Sequence, residues 1–157
     1  MRLFVLRRST LRGTYTLLMV CKRPFKLRIG KLGLAQIKKG IYLYTGSALG
    51  AGAVSLDLRI ARHRRRNKRV KWHVDYLTVR PEITIVSVVC IESKVRLECK
   101  INQRILSILN VEPILHRAGS SDCHCNAHLL FAGSLDSKTV LRDLKGVYAT
   151  YGKPLML

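Results

Sequence analysis

Arg59 and His63 stand four residues apart in a stretch whose composition suits a helix running from Ser55, as its cap, to about Arg66, with Asp57 near the start. Residues at that spacing share a helix face. A guanidinium there can hold a phosphate in a bidentate fork, and an imidazole beside it titrates close enough to neutral pH to move a proton. Glu98 is the most informative of the nine acids in a chain of net charge +20. On a helix read over about 94–109, capped by Ser93, Ile101, Ile105 and Ile108 form an apolar stripe, and stepping back three residues from Ile101 lands on Glu98. An inward carboxylate needs a partner. It is either a structural arginine or a divalent cation, since Mg²⁺ is usually held by few protein oxygens, with water and substrate phosphate completing the shell.

Two further groups have alternatives. His73, in Trp72-His73-Val74-Asp75-Tyr76, is either a packed, hydrogen-bonded histidine or, if it faces the same cleft as Arg59, a participant in chemistry. The stretch "DCHCNAH" places Cys123, His124, Cys125 and His128 close together. The CxC spacing is too tight for an ordinary zinc knuckle. A structural zinc site on Cys123, Cys125 and His128 would need Cys90, Cys99 or His116 to complete it, and nothing in the sequence selects among them. A loop held by hydrogen bonds is the alternative.

The elements that must position these groups are short. Residues 13–21 and 40–47 read as strands rich in β-branched and aromatic residues, and 82–91 as a buried strand. Pro24 and Gly30 punctuate a hairpin at 22–38. Residues 70–78 fit either a strand or a short helix. Glu112-Pro113 lies just past the end of the second long helix, "LLFAG" is a short strand, and a helix over about 137–151 closes the chain. In "KGIYLYTGSALG" (39–50), Ile41 and Leu43 take one face, while Tyr44, with Tyr42 beside it, takes the other. Gly46 lets the backbone turn and substrate phosphate approach. A phosphate cradle is disfavoured, because no helix starts directly at these glycines. The pattern as a whole is a mixed α/β (α+β) domain over 1–157.

A charge of +20 on 157 residues predicts a polyanionic partner. Nucleic acid comes first, DNA ahead of RNA. A membrane surface is disfavoured, since no long basic amphipathic helix is present. Arg62, Arg64, Arg65, Arg66, Lys68, Arg69 and Lys71 are the expected phosphate contacts. No apolar run reaches membrane-spanning length, and the run at Leu3–Leu6 is too short for a signal peptide. Five cysteines without a secretory feature are expected to be reduced thiols of a cytoplasmic protein.

Gly13-Thr14-Tyr15, Tyr44-Thr45-Gly46, Arg59 with His63, and Glu98, in that order with "WHVDYL", "RLEC" and "GSSDCHC", resemble the GIY-YIG nuclease superfamily, and more narrowly its Uri-type branch, over residues 13–131. The resemblance implies a central sheet of about three strands flanked by helices, with an inserted hairpin at 22–38. It also implies a metal-dependent endonuclease that hydrolyses phosphodiester bonds with one Mg²⁺ or Mn²⁺. In that scheme Tyr15 and Tyr44 are the paired tyrosines, Arg59 binds phosphate, His63 and His73 share the site, and Glu98 holds the metal. The base is Tyr15, which must then lose a proton from a phenol of pKa ~10, or a histidine. The superfamily's later asparagine has no clear match here. A catalytically inactive nucleic-acid-binding module of the same fold is therefore the alternative.

Overall fold

The computed structural model describes residues 11–50, 55–134 and 136–157; the Leu3–Leu6 run lies outside them. Strand β1 (Gly13–Cys21) forms the centre of the sheet. It pairs antiparallel with β4 (Gly40–Ala48) on one side and β5 (Ile83–Glu92) on the other. Eight of its nine residues are buried, so helices cover both faces and no polar alternation shows in its sequence. Its side chains divide between two layers. Tyr15 meets His63 of α1 (Leu56–Arg64), whereas Thr14 accepts the Leu97 amide ahead of α3 (Glu98–Ile108) and Thr16 bonds Tyr148 of α4 (Ser137–Ala149). Helix α2 (His73–Thr78) joins the α1 layer through Arg62 and Asp75.

The sheet has six strands in the order β6-β7-β4-β1-β5-β8, rather than the three expected. Of the three beyond that core, β7 (Leu129–Phe131) is the short strand read in "LLFAG", while β6 (Glu112–Pro113) and β8 (Leu155–Met156), with two residues each, have no counterpart among the strands read from the sequence. Two residues are too few for any alternation to register. Pro113 sits on the outermost strand, where a missing N–H costs no ladder bond. The expected hairpin is present as a separate pair, β2 (Phe25–Arg28) and β3 (Leu34–Ile37). It turns Ala35 and Ile37 inward and Lys26, Arg28 and Gln36 outward.

The helices differ from expectation at their ends. Residues 73–78 resolve as helix α2, because the Asp75 carboxylate accepts the Lys71 and Trp72 amides and caps its start. Helix α1 stops at Arg64, short of Arg66. Helix α3 begins at Glu98, not 94, because the Ser93 hydroxyl accepts the Val95 amide in a local turn. Its inward face is Glu98, Ile101, Asn102 and Ile105, continued by Leu109; Ile108, placed inward by the stripe, is 51% exposed. The last helix ends at Ala149. Among the described residues no helix is long and apolar enough to cross a membrane.

Candidate functional site

Strand β7 pairs with β4 only over Tyr42–Tyr44. Beyond that point the layers on the two sides of β4 part, and a cleft of about 280 Å³ opens between them. The α1–α2 layer lines it with Arg59, Lys71, Trp72 and His73. The opposite wall carries Arg96, Glu98, Asp122 and His128, with Tyr44 to Ser47 along the floor.

Ser47 connects the walls. Its carbonyl accepts Arg59 Nη1 at 2.6 Å, while its hydroxyl donates to Glu98 Oε2 and lies 2.9 Å from Thr14 Oγ1. The Arg59 guanidinium lies 4.9 Å from the Trp72 ring centre, on an indole shared with Arg62 at 4.3 Å. Stacking fixes the plane of a delocalised cation without using all of its donors. Glu98 is 4% exposed and accepts Arg96 Nε at 2.6 Å; Arg96 Nη2 donates to Asp122 at 2.7 Å. Of the two partners foreseen for Glu98, the structure supplies the arginine. The hydrogen bond from that guanidinium lowers the pKa of Asp122 from its ordinary value. Two carboxylates thus converge on one cationic group, with the Ser47 hydroxyl on the far oxygen of Glu98, and these hard oxygen donors also suit a divalent cation.

Tyr44 lines the cleft and is 9% exposed. Burial pushes its phenol up to about 12, against the opposing pull of Arg59. Tyr15 is not among the lining residues. Its hydroxyl is 2.7 Å from His63 Nε2, and burial, then the neighbouring Tyr44, raises its pKa well above an ordinary tyrosine's. His63 is fully buried, and desolvation, reinforced by Lys68, lowers it to about 3. Its ring is therefore neutral, with Nδ1 3.9 Å from Asp75 Oδ1. His73 does face the cleft; its Nδ1 accepts the Gly119 amide at 3.0 Å, which leaves the ring proton on Nε2. Gly46 lies within β4 rather than in a turn. A Cβ there would come 2.8 Å from the Tyr15 hydroxyl, so the glycine makes room for a buried tyrosine while its backbone lines the cleft floor.

The basic run divides into structural and surface residues. Asp75, to which the sequence assigns no role, is fully buried and accepts both Arg62 terminal nitrogens at 3.0 Å. Burial works to raise its pKa, yet Arg62, the Trp72 and Lys71 amides and Lys68 together hold it near 2. An acid three residues beyond Trp72 is the signal that could have marked it, as part of a helix N-terminal cap. Lys68, expected on phosphate, has a side chain only 4% exposed; its ammonium donates to the Arg62 and His63 carbonyls and to Thr78. Arg64 bonds the Leu157 carbonyl, and Arg66 those of Arg80 and Ile83. Arg65, Arg69 and Lys71 are exposed, as are Arg64 and Arg66, and Lys71 lines the cleft.

The Cys/His stretch has both of its expected properties. Its loop is tied by hydrogen bonds, with Ser120 Oγ and Arg117 Nη1 both donating to the Cys125 carbonyl. The donor atoms of Cys99, Cys123, Cys125 and His128 also lie within 4.8 Å of one another, a Cys₃His cluster that could bind a metal such as zinc. Cys99 is the completing residue that the sequence left open; Cys90 is buried on β5 and His116 bonds Asn126.

No curated protein and no solved structure matches the chain. The resemblance to the GIY-YIG superfamily is not upheld: no GIY-YIG family matches, and the family that does match covers residues 14–150. The chain belongs to the family described as "Domain of unknown function DUF123".

Proposed function

We propose that the protein is an endonuclease that hydrolyses phosphodiester bonds in nucleic acid, DNA ahead of RNA, with a divalent cation. One observation carries this reading. Ser47 bridges a stacked, half-buried guanidinium, Arg59, to a buried carboxylate, Glu98, across a polar cleft in a chain of charge +20. Arg59 retains donors for a phosphate in the cleft and stabilises the charge that builds on it. The Tyr44 hydroxyl and His73 Nε2–H supply neutral donors to non-bridging oxygens, and neither is poised to take a proton at neutral pH. Glu98 and Asp122 would hold Mg²⁺ or Mn²⁺ in place of Arg96, which is then released toward substrate. The cation, when bound, supplies Lewis-acid polarisation of a phosphoryl oxygen. Lys71, Arg65 and Arg69 extend the phosphate track.

A second reading, a nucleic-acid-binding module without cleavage, is favoured by one ion pair: Arg96 already neutralises Glu98. Supercoiled plasmid incubated with the protein in Mg²⁺, Mn²⁺ or EDTA separates the two. Nicking that needs the cation supports the first, and tight binding with no nicking in any cation supports the second.

A further inference from the structure

We infer that Cys99, Cys123, Cys125 and His128 form a closed, four-coordinate zinc centre that clamps helix α3 to the 119–128 loop and so builds one wall of the cleft. The four ligands come from three places: the first turn of α3, the loop, and the residue that leads into β7. His128 Nε2 is 3.6 Å from Cys123 Sγ and 3.8 Å from Cys99 Sγ. Bonds of ~2.3 Å to sulfur and ~2.0 Å to nitrogen give tetrahedral edges of ~3.5–3.8 Å; the two histidine edges already match, and the remaining separations, within 4.8 Å, need to close by no more than about 1 Å to receive zinc. Three thiolates and an imidazole are a soft set that selects zinc over the hard cations suited to carboxylates. With four protein ligands no position is left open, which marks a structural rather than a catalytic metal.

Sequence adjacency links the centre to the cleft. Glu98 precedes Cys99 and Asp122 precedes Cys123, so both cleft carboxylates sit one residue from a ligand, on segments far apart in the chain. His128 itself lines the cleft, and its carbonyl accepts the Thr45 amide of β4. Zinc binding releases the three thiol protons and leaves a centre of net charge −1. The metal joins loop to helix, so the spacing of Glu98 and Asp122 depends on it. Only the consequence for cleavage rests on the nuclease reading; the centre itself does not.

The test begins with metal content. Freshly purified protein is expected to carry one zinc per chain. Exchange into Co²⁺ should give the intense visible bands of a tetrahedral site and a near-ultraviolet thiolate-to-metal band. Cys125→Ser should lower that band by about a third, in line with the removal of one thiolate of three; Glu98→Gln should leave metal content and spectrum unchanged. If the cysteine variant does not fold, zinc is stripped from the wild type with a chelator and hydrogen exchange is followed. The 119–128 loop and the start of α3 should lose protection while β1, β4 and β5 keep theirs. Protein without zinc, a weak octahedral Co²⁺ spectrum, iron or copper in the site, a disulfide among these cysteines, or unchanged protection on stripping would each overturn the proposal. Zinc-loaded protein that never nicks DNA would sink the nuclease reading alone; zinc-free protein that nicks would sink the zinc centre alone.

Discussion

Tyr15 and His63 are bound to each other in the interior, with Tyr15 Oη 2.7 Å from His63 Nε2 and neither residue more than 1% exposed. With the imidazole proton on Nδ1, towards Asp75, Nε2 accepts the phenolic hydrogen. The pair therefore ties β1 to α1 beneath the cleft floor. Tyr15→Phe deletes the donor and strands a buried acceptor, a loss of about 1–3 kcal/mol in a urea titration. Nicking per folded molecule should stay close to wild type. A roughly tenfold or greater loss in fully folded Tyr15→Phe would place this phenol in the chemistry instead.

His63 also sets a pH dependence. Its folded pKa, about 3, lies below the unfolded value of 6.5, so the unfolded chain binds the extra proton between those limits. Stability is then full above pH 6.5 and falls as the pH drops towards 3, by an amount on the order of 4–5 kcal/mol. Below pH 3.8 the protonation of Asp75, held near 2, adds in the same direction. Urea midpoints measured from pH 7 to 4 should show the decline, and His63→Gln, which keeps an acceptor for Tyr15, should flatten it. A wild-type profile that is flat between pH 6.5 and 4 would contradict a neutral, buried His63.

Gly46 tests the packing beneath the cleft. A Cβ at this position meets the Tyr15 hydroxyl at 2.8 Å and its ring carbon at 3.0 Å. Gly46→Ala should cost about 1–3 kcal/mol through overpacking. Adding Tyr15→Phe removes the nearer clash, so the double variant should be more stable than the sum of the two single changes predicts. Strict additivity in that double-mutant cycle would show that the two residues do not touch.

The basic run should separate by role. Lys68→Met removes a buried ammonium that caps the last carbonyls of α1 and should lower stability by several tenths of a kcal/mol or more. It should leave the salt dependence of DNA binding untouched. Arg65, Arg69 and Lys71 changed together to Ala should keep the fold and reduce the slope of log K against log salt by ~0.9 for each phosphate of duplex DNA that these side chains neutralise. Fluorescence anisotropy at several salt concentrations measures both. An unchanged slope in the triple variant would move the phosphate track elsewhere.

Much of the frame was legible because it rests on composition and period. The strands at 13–21 and 82–91, the 22–38 hairpin and the closing helix carry apolar or β-branched runs long enough to show. The buried setting of Glu98 followed from its place on a helix face, although Ile108 points outward and Asn102, a polar residue, takes the inward position. Strands of two residues leave no period to read. The roles of Lys68 and Cys99, and the pairing of Asp75 with Arg62, depend on interactions between separate elements; only the capping role of Asp75 is written in local spacing. Gly46 carries a second demand that its own strand does not show: the space it leaves is filled by Tyr15, its partner on the adjoining strand. The family resemblance drew on several motifs in order, and the Gly and Tyr positions of its two tripeptides satisfy ordinary demands of strand packing here.

The most direct test of the cleft is Glu98→Gln in the plasmid-nicking assay, read beside DNA binding and zinc content in the same preparation. Gln keeps the volume and can still accept the Ser47 hydroxyl, but it loses the charge that Arg96 or a divalent cation requires. The predicted result is wild-type binding and zinc content, with Mg²⁺- or Mn²⁺-dependent nicking reduced by ~10² or more. Nicking by Glu98→Gln at the wild-type rate, or wild-type nicking that persists in EDTA, would contradict the assignment of this cleft as a metal-dependent nuclease site.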